Sequence, residues 1–199
     1  MSEPLFGGDV LFQQRVLKAA GLYLGALDGL WGPLTDRACV AFAAASEDLA
    51  ACLGRFDPRS ERHTASLQLE AQRAARTFLR RTRAAGYDAR VISATRSYAA
   101  QNRLFRRGRY GRPGARVTNA RGGQSNHNFA IACDIGLFEA GAYLTGAAAY
   151  EGAARAGLAD ELEWGGTWRT FRDTPHYQLA NGLCVTKTRA LFEAGKRYF

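Results

Sequence analysis

The chain has 199 residues, 47% of them hydrophobic and 23% charged, with 22 Gly and 5 Pro; that is a folded globular composition, and it excludes collagen, coiled coil and low-complexity polymer. This length makes one domain, or one domain plus a small module, and either buries a real core. The formal charge is +9, and with lysine only at Lys18, Lys187 and Lys196 the 27 basic residues include 24 arginines. Such a surplus favours a polyanionic partner without choosing among nucleic acid, anionic lipid and carboxylate-rich wall polymer.

At the start, Met1 to Val10 carries Glu3 and Asp9 where a secretion signal would place positive charge and an apolar run. No later stretch approaches the roughly 18 apolar residues of a membrane span. The expectation is synthesis in the cytoplasm, without a signal peptide or transmembrane segment. The four cysteines, Cys39, Cys52, Cys133 and Cys184, form no CxxC pair and are expected to be buried reduced thiols.

Leu11, Phe12, Val16, Leu17 and Ala20 recur near the helical period, and Gly21 follows as a C-cap. Turn dipeptides come next, at Asp28-Gly29 and Gly32-Pro33. Thr35 then caps a second helix with Ala38, Val40, Ala41 and Phe42 on its apolar side. Ser46 to Asp57 reads as a further helix and connector, and Pro58 marks a boundary.

Apolar positions from Leu67 to Leu79 give a long arginine-rich helix closed by Gly86. Ala89 to Ser93 reads as a short strand, and Ser97 starts another helix. That helix runs into a Gly- and Pro-bearing loop with Arg103, Arg106, Arg107, Arg109, Arg112 and Arg116, by default a solvated face. Gly136 to Ala159 mixes turns with a helix near Thr145 to Ala156. Helices first and scattered short strands later argue for an α+β fold over a regular βαβ series.

The helix-turn-helix beginning carries Gly21, Tyr23, Gly25, Asp28, Gly29, Trp31, Gly32, Thr35 and Phe42 at set spacings. It resembles the peptidoglycan-binding domain found beside many wall-cleaving enzymes, although Ala43 stands where that family usually has Gln. The resemblance implies a wall-binding module over residues 1–47, with Tyr23, Asp28 and Trp31 as binding residues.

Histidine occurs only as His63, His127 and His176, and the last two lie in turn-rich surroundings beside carboxylates. Two imidazoles and a carboxylate suit a catalytic zinc ion, which takes three protein ligands and leaves a position for water. Zinc bonds of about 2.1 Å put ligand atoms about 3.4 Å apart. Seven extended residues at about 3.3 Å would instead separate the His127 and Asp134 backbones by about 23 Å. The chain must therefore reverse near Asn128 to Ala130 and return as a strand over 131–134, with Asn128 suited to a left-handed conformation.

The pattern Ser125-x-His127-x-x-x-x-Ala132-x-Asp134, followed by Glu163-Trp-Gly-Gly-x-Trp168 and Asp173-x-x-His176, resembles the VanY-like and endolysin-type zinc peptidases. Those enzymes cleave D-alanyl-D-alanine or L-alanyl-D-glutamate bonds. Ser93 to Ser97, with Gln101, matches their upstream element, so the likeness covers about residues 58–180. Two departures are Ala94 and Ala130, where that family commonly has Gly; a positive φ at either would cost on the order of 1 kcal/mol.

The resemblance implies an α+β catalytic domain over 58–199 with a short antiparallel sheet, holding one zinc ion through His127, Asp134 and His176. It implies Asp173 as general base and proton donor, and Arg96 as the grip on an oxyanion or carboxylate. Ser125, Gln101 and Trp164 are expected near substrate, Trp168 as a further cleft wall, and Glu163 as a partner orienting a ligand imidazole. His63 has no assigned role.

The leading expectation is a monomeric zinc endopeptidase that cuts the L-alanyl-D-glutamate bond of peptidoglycan stems, as in endolysin-type lysis. It would reach the wall by holin-type release or as a toxin delivered by a secretion apparatus. A D-alanyl-D-alanine carboxypeptidase is the alternative. A wall-binding protein with structural zinc, and a nucleic-acid binder, are rivals from other classes. The second would need aromatic platforms interleaved with the arginine run, where only Phe105 and Tyr110 stand.

Overall fold

A computed structural model describes residues 8–199. The first seven residues, including Glu3 and the start of the expected 1–47 module, lie outside the described residues.

Helix α1 spans Val10–Ala19, with the Asp9 carboxylate accepting from the Phe12 backbone N–H at its start. Gly21, at φ 75°, turns the chain out of the helix as expected. Helix α2 is one continuous element, Pro33–Leu53, whose cap is Gly32 with Pro33 in the first turn. Thr35 therefore does not cap it but points into the core from the first turn. The buried positions are Thr35, Ala38, Cys39, Phe42, Ser46 and Ala50, while Val40 is exposed. A strict 3.6-residue period selects that set; the expected Val40 and Ala41 fall off the stripe.

Helix α3 (Pro58–Thr64) starts on an Asp57 cap, and α4 (Leu69–Ala84) is the arginine-rich helix, followed by Gly86 at φ 88°. Strand β1 is Asp88–Ser93, and α5 (Tyr98–Arg106) begins on the Ser97 side chain, which accepts from the Ala100 N–H. A 3-10 turn over Asn126–Phe129 leads into β2 (Ala132–Glu139), which pairs briefly with β3 (Ala142–Tyr143). Helix α6 (Ala147–Gly157), β4 (Leu162–Trp164), β5 (His176–Leu179) and α7 (Val185–Glu193) complete the chain.

The sheet is antiparallel throughout, in the order β1-β2-β5-β4, and the helices complete an α+β fold as expected. Its register does the work that matters for the site. Asp134 lies opposite His176, and Glu163 opposite Gln178, so residues 42 and 15 positions apart in sequence become cross-strand neighbours.

The core is one continuous cluster reaching from Phe12 on α1 to Tyr198. Phe192 of α7 packs against Phe12 and Phe129 at ring separations of 5.3 and 5.4 Å. The Gln68 side chain donates to Val16 O and to the Tyr198 hydroxyl, which in turn donates to Phe129 O at 2.6 Å. The first helix and the turn carrying His127 are thus fastened to the same C-terminal elements. Cys39 and Cys133 are buried thiols, but Cys52 and Cys184 are exposed, because they fall on the solvent side of α2 and just before α7. Among the described residues no helix is long and apolar enough to cross a membrane.

Candidate metal centre and cleft

His127 enters the site from the 3-10 turn. The chain reverses there as the spacing required, but the left-handed residue is Ala130, at φ 57° and ψ 29°, not Asn128. Ala130 is fully buried, so the structure holds a conformation costing an L-residue about 1 to 2 kcal/mol. Asn128 stitches the turn instead: its Nδ2 donates to Arg96 O and its Oδ1 accepts from the Gly123 N–H, each at 2.9 Å. Ala94 has no positive φ.

The three donors converge. His127 Nε2 is 3.2 Å from Asp134 Oδ1, and His176 Nδ1 is 3.5 Å from the same oxygen. All the ligand atoms of this trio lie within 4.8 Å of one another. Those spacings bracket the roughly 3.4 Å edge of a tetrahedral zinc shell, so the donor set fits a metal ion.

The other nitrogen of each ring is already engaged. His127 Nδ1 donates to Ala94 O at 2.7 Å, and His176 Nε2 donates to Gln178 Oε1 at 3.0 Å. This leaves Nε2 of one ring and Nδ1 of the other facing Asp134, with both rings oriented from behind. Asp134 is held well below the usual carboxylate range: burial opposes ionisation, but the two imidazoles outweigh it. Burial lowers the His127 pKa against the pull of the Asp134 carboxylate, whereas for His176 the same carboxylate overcomes burial and raises the pKa.

Gln178 was not anticipated, and it connects the set. Its Oε1 also accepts from Asn126 Nδ2 at 2.8 Å, and its Nε2 donates to Glu163 Oε2 at 3.1 Å. The other Glu163 oxygen accepts from Trp168 Nε1 at 2.7 Å. Glu163 therefore reaches the imidazole through Gln178 and does not touch it. One signal was legible: His176 and Gln178 sit two apart on a strand and so share a face.

A cleft of about 690 Å³ opens beside the donors, lined by Arg96, Ser125, Trp168, Asp173 and residues 117–120 among others. Val117 and Phe171 stand exposed on its rim. Arg96 Nη2 is 3.5 Å from Asp134 Oδ2, and its buried Nε has no partner. The backbone of Arg96 is fixed by its N–H donating to His127 O at 2.9 Å. The half-buried Asp173 carboxyl has its pKa raised, by burial first and by the Asp134 charge, against the opposing imidazoles and Arg96. Gly165 allows this segment in, since a Cβ there would stand 2.6 Å from Asp173 O.

Two expected cleft residues lie elsewhere. Gln101 is fully buried, and its Nε2 donates to Ala120 O at 3.0 Å and to Thr118 Oγ1, so it braces the cleft-lining segment from behind. Trp164 belongs to the core: it stacks on Tyr177, its indole N–H donates to Thr174 O, and the Gly166 position accommodates its ring. Alternation along β4 turns it away from Glu163's side. Trp168 takes the wall position, its ring 5.0 Å from that of His176.

In the N-terminal helices, the motif residues build a loop. Gln14 donates to the Tyr23 hydroxyl, to Asp28 Oδ1 and to Leu30 O, while its Oε1 accepts from the Gly29 N–H. Tyr23 is buried, and its hydroxyl donates to Ala26 O. Asp28 also accepts from the Leu30 N–H, and Trp31 is half-buried against the core. What the loop presents is Leu24 and Leu30, 87% and 71% exposed.

Residues 118–179 match a protein family described as D-alanyl-D-alanine carboxypeptidase. The chain is 33% identical over 105 residues to the peptidoglycan L-alanyl-D-glutamate endopeptidase CwlK of Bacillus subtilis (strain 168), a match covering 47% of this chain. It spans 62% of the length of that curated relative. Among solved structures, the L-Ala D-Glu endopeptidase ChiX of Serratia marcescens aligns with 28% identity and a TM-score of 0.47, over 63% of this chain and 90% of that one. The likeness to VanY-like peptidases read from the motifs is borne out.

Proposed function

From a chain related to the VanY-like peptidases, we propose a zinc-dependent peptidoglycan hydrolase that cleaves the L-alanyl-D-glutamate bond of stem peptides. The observation carrying this reading is the convergence of His127, Asp134 and His176 at tetrahedral-edge spacing beside a half-buried Asp173. The bond follows the activity named for the Bacillus relative. A zinc ion held by the trio supplies Lewis-acid polarisation of the scissile carbonyl and of water.

This chain's residues do the rest. Asp173, whose raised pKa brings it closer to working pH, takes the proton of the attacking water on a carboxylate oxygen and passes it to the leaving amine. Arg96, which lines the cleft with its Nη2 3.5 Å from Asp134 Oδ2, neutralises charge developing on the carbonyl oxygen. Ser125 and Trp168 line the substrate's path. In this reading residues 58–199 cut and residues 1–47 hold the polymer. Tyr23, Asp28 and Trp31 then act through the loop that displays Leu24 and Leu30. The protein works as a monomer on the cell wall, after holin-type release or delivery as a toxin.

Digestion of purified sacculi with and without a chelator, followed by identification of new termini, tests class, metal and bond together. New amino-terminal D-glutamate that disappears with chelator is the expected result. Asp173→Asn should lower turnover by about 10²- to 10⁴-fold with zinc still bound. The matched family's description favours a second reading, a D-alanyl-D-alanine carboxypeptidase. Release of free D-alanine without internal cleavage would establish that one instead.

A further inference from the structure

Trp168 has a second side. A groove of about 690 Å³ is lined there by Arg155 of α6, by Trp164 and by Trp168, Arg169 and Arg172 of the loop after β4, with Glu151 at its edge. Trp168 lines both this groove and the cleft of the metal centre, so the two are contiguous across one indole. That indole cannot swing freely, because its N–H is committed to Glu163.

The groove's charge is lopsided. Arg172 is pinned, its Nε donating to Gly166 O at 2.9 Å and its Nη2 standing 3.2 Å from Glu151 Oε1. Among the described residues no carboxylate pairs with Arg155 or Arg169, both exposed, so two guanidinium groups face a concave surface uncompensated. A smaller concavity of about 290 Å³ near the C-terminus sets Arg73 against Glu70 and Glu161 and has no such excess. Guanidinium forks match carboxylates bidentately, and an immobilised indole face offers a platform for uncharged neighbouring groups.

We propose that this groove is a subsite for a second, carboxylate-bearing peptide stem of peptidoglycan, seated across Trp168 from the stem being cut. The proposal rests on the peptidoglycan reading and extends it: the enzyme recognises a cross-linked pair of stems. A single stem fills the cleft and leaves the groove empty. A cross-linked dimer engages both, and the second contact is intramolecular once the first is made.

The test is calorimetric titration of metal-free protein, which binds without turnover, with soluble muropeptide monomers and with their cross-linked dimers. The wild type should bind dimers about tenfold more tightly, the scale of one charge-assisted pair. Arg155→Gln with Arg169→Gln, both at exposed positions, should bring the dimer down to the monomer's affinity and leave the monomer unchanged. Monomer and dimer binding alike to the wild type, or a dimer preference that survives the double substitution, overturns the subsite alone. Absence of binding to either overturns the peptidoglycan reading with it. A single-stranded DNA oligonucleotide that displaces the dimer at physiological salt would show an unselective cationic surface, and also overturns the proposal.

Discussion

Gln178→Ala isolates the contribution of the relay behind His176. The substitution removes the acceptor of the His176 Nε2–H at 3.0 Å and of Asn126 Nδ2 at 2.8 Å, and frees the Glu163 oxygen that Gln178 holds. His176 is 6% exposed, so its N–H loses a partner in a largely dry place. Leaving such a donor unmatched costs about 1 to 3 kcal/mol. The open cleft beside Gln178 admits water that repays part of this, and Trp168 still restrains the ring from 5.0 Å. The net is about 1.4 kcal/mol, a tenfold weaker zinc affinity, at the low end of the range for lost partners behind a metal ligand. Competition against a chromophoric chelator measures it, with Tm of the metal-free variant as the folding control. Gln178→Glu combined with Glu163→Gln retains the acceptor without setting two carboxylates against each other, which at the 3.1 Å now separating Gln178 from Glu163 would repel strongly, and should recover most of the affinity. Wild-type affinity in Gln178→Ala would refute the relay, as would equal loss in the Gln178→Glu, Glu163→Gln pair.

Three other substitutions probe the scaffold. Gly165→Ala puts a Cβ 2.6 Å from Asp173 O and 3.2 Å from the His176 Cβ, which pushes the 173–176 segment off the sheet. Overpacking of about 1 to 3 kcal/mol should appear as lower Tm and at least tenfold weaker zinc binding in the same chelator assay. Gln101→Ala releases Ala120 O and Thr118, and should raise KM several-fold in a muropeptide turnover assay without changing zinc affinity.

Glu61→Gln uncouples Arg76, which is 1% exposed and bonded to both Glu61 oxygens at 2.9 and 2.8 Å. Because Glu61 is partly exposed and Gln keeps one acceptor, the loss is about 2 kcal/mol, or roughly 4 to 8 °C in Tm by calorimetry. Burial raises the Glu61 pKa, but Arg76 and the Phe56 N–H lower it further, so the folded value lies below the unfolded one. That stabilisation is fully present above the unfolded value near about 4.3 and is lost as pH falls through the folded value. The acid limb of the Tm–pH curve should therefore be shallower in Glu61→Gln than in the wild type.

Local physics was legible in the chain itself. The cap at Ser97, the stop at Gly86, the arginine-rich helix and the need for a reversal between His127 and Asp134 all follow from interactions within a few residues. The donor trio was legible for a different reason: few histidines in a recognisable spacing leave little choice. Errors arose where a competing local signal or a neighbour in space decides. Thr35 has a cap's chemistry, yet Gly32 and Pro33 place the helix start earlier and turn Thr35 inward. Trp164 and Trp168 belong to the same motif, and only the sheet separates them, sending one to Tyr177 and the other to His176.

What the sequence by itself determined is therefore several of the helices, the first strand and the identity of the groups able to hold a metal, because these depend on short-range periodicity and on residue chemistry, whereas α3, α7 and the strands β3 to β5 carried no such signal. Which ring nitrogen faces Asp134, the bridging of Glu163 to His176 through Gln178, the burial of Gln101 and the sharing of Trp168 by two grooves were decided by tertiary structure. The reason is register: β2, β5 and β4 are drawn from segments tens of residues apart, and their pairing sets which side chains meet.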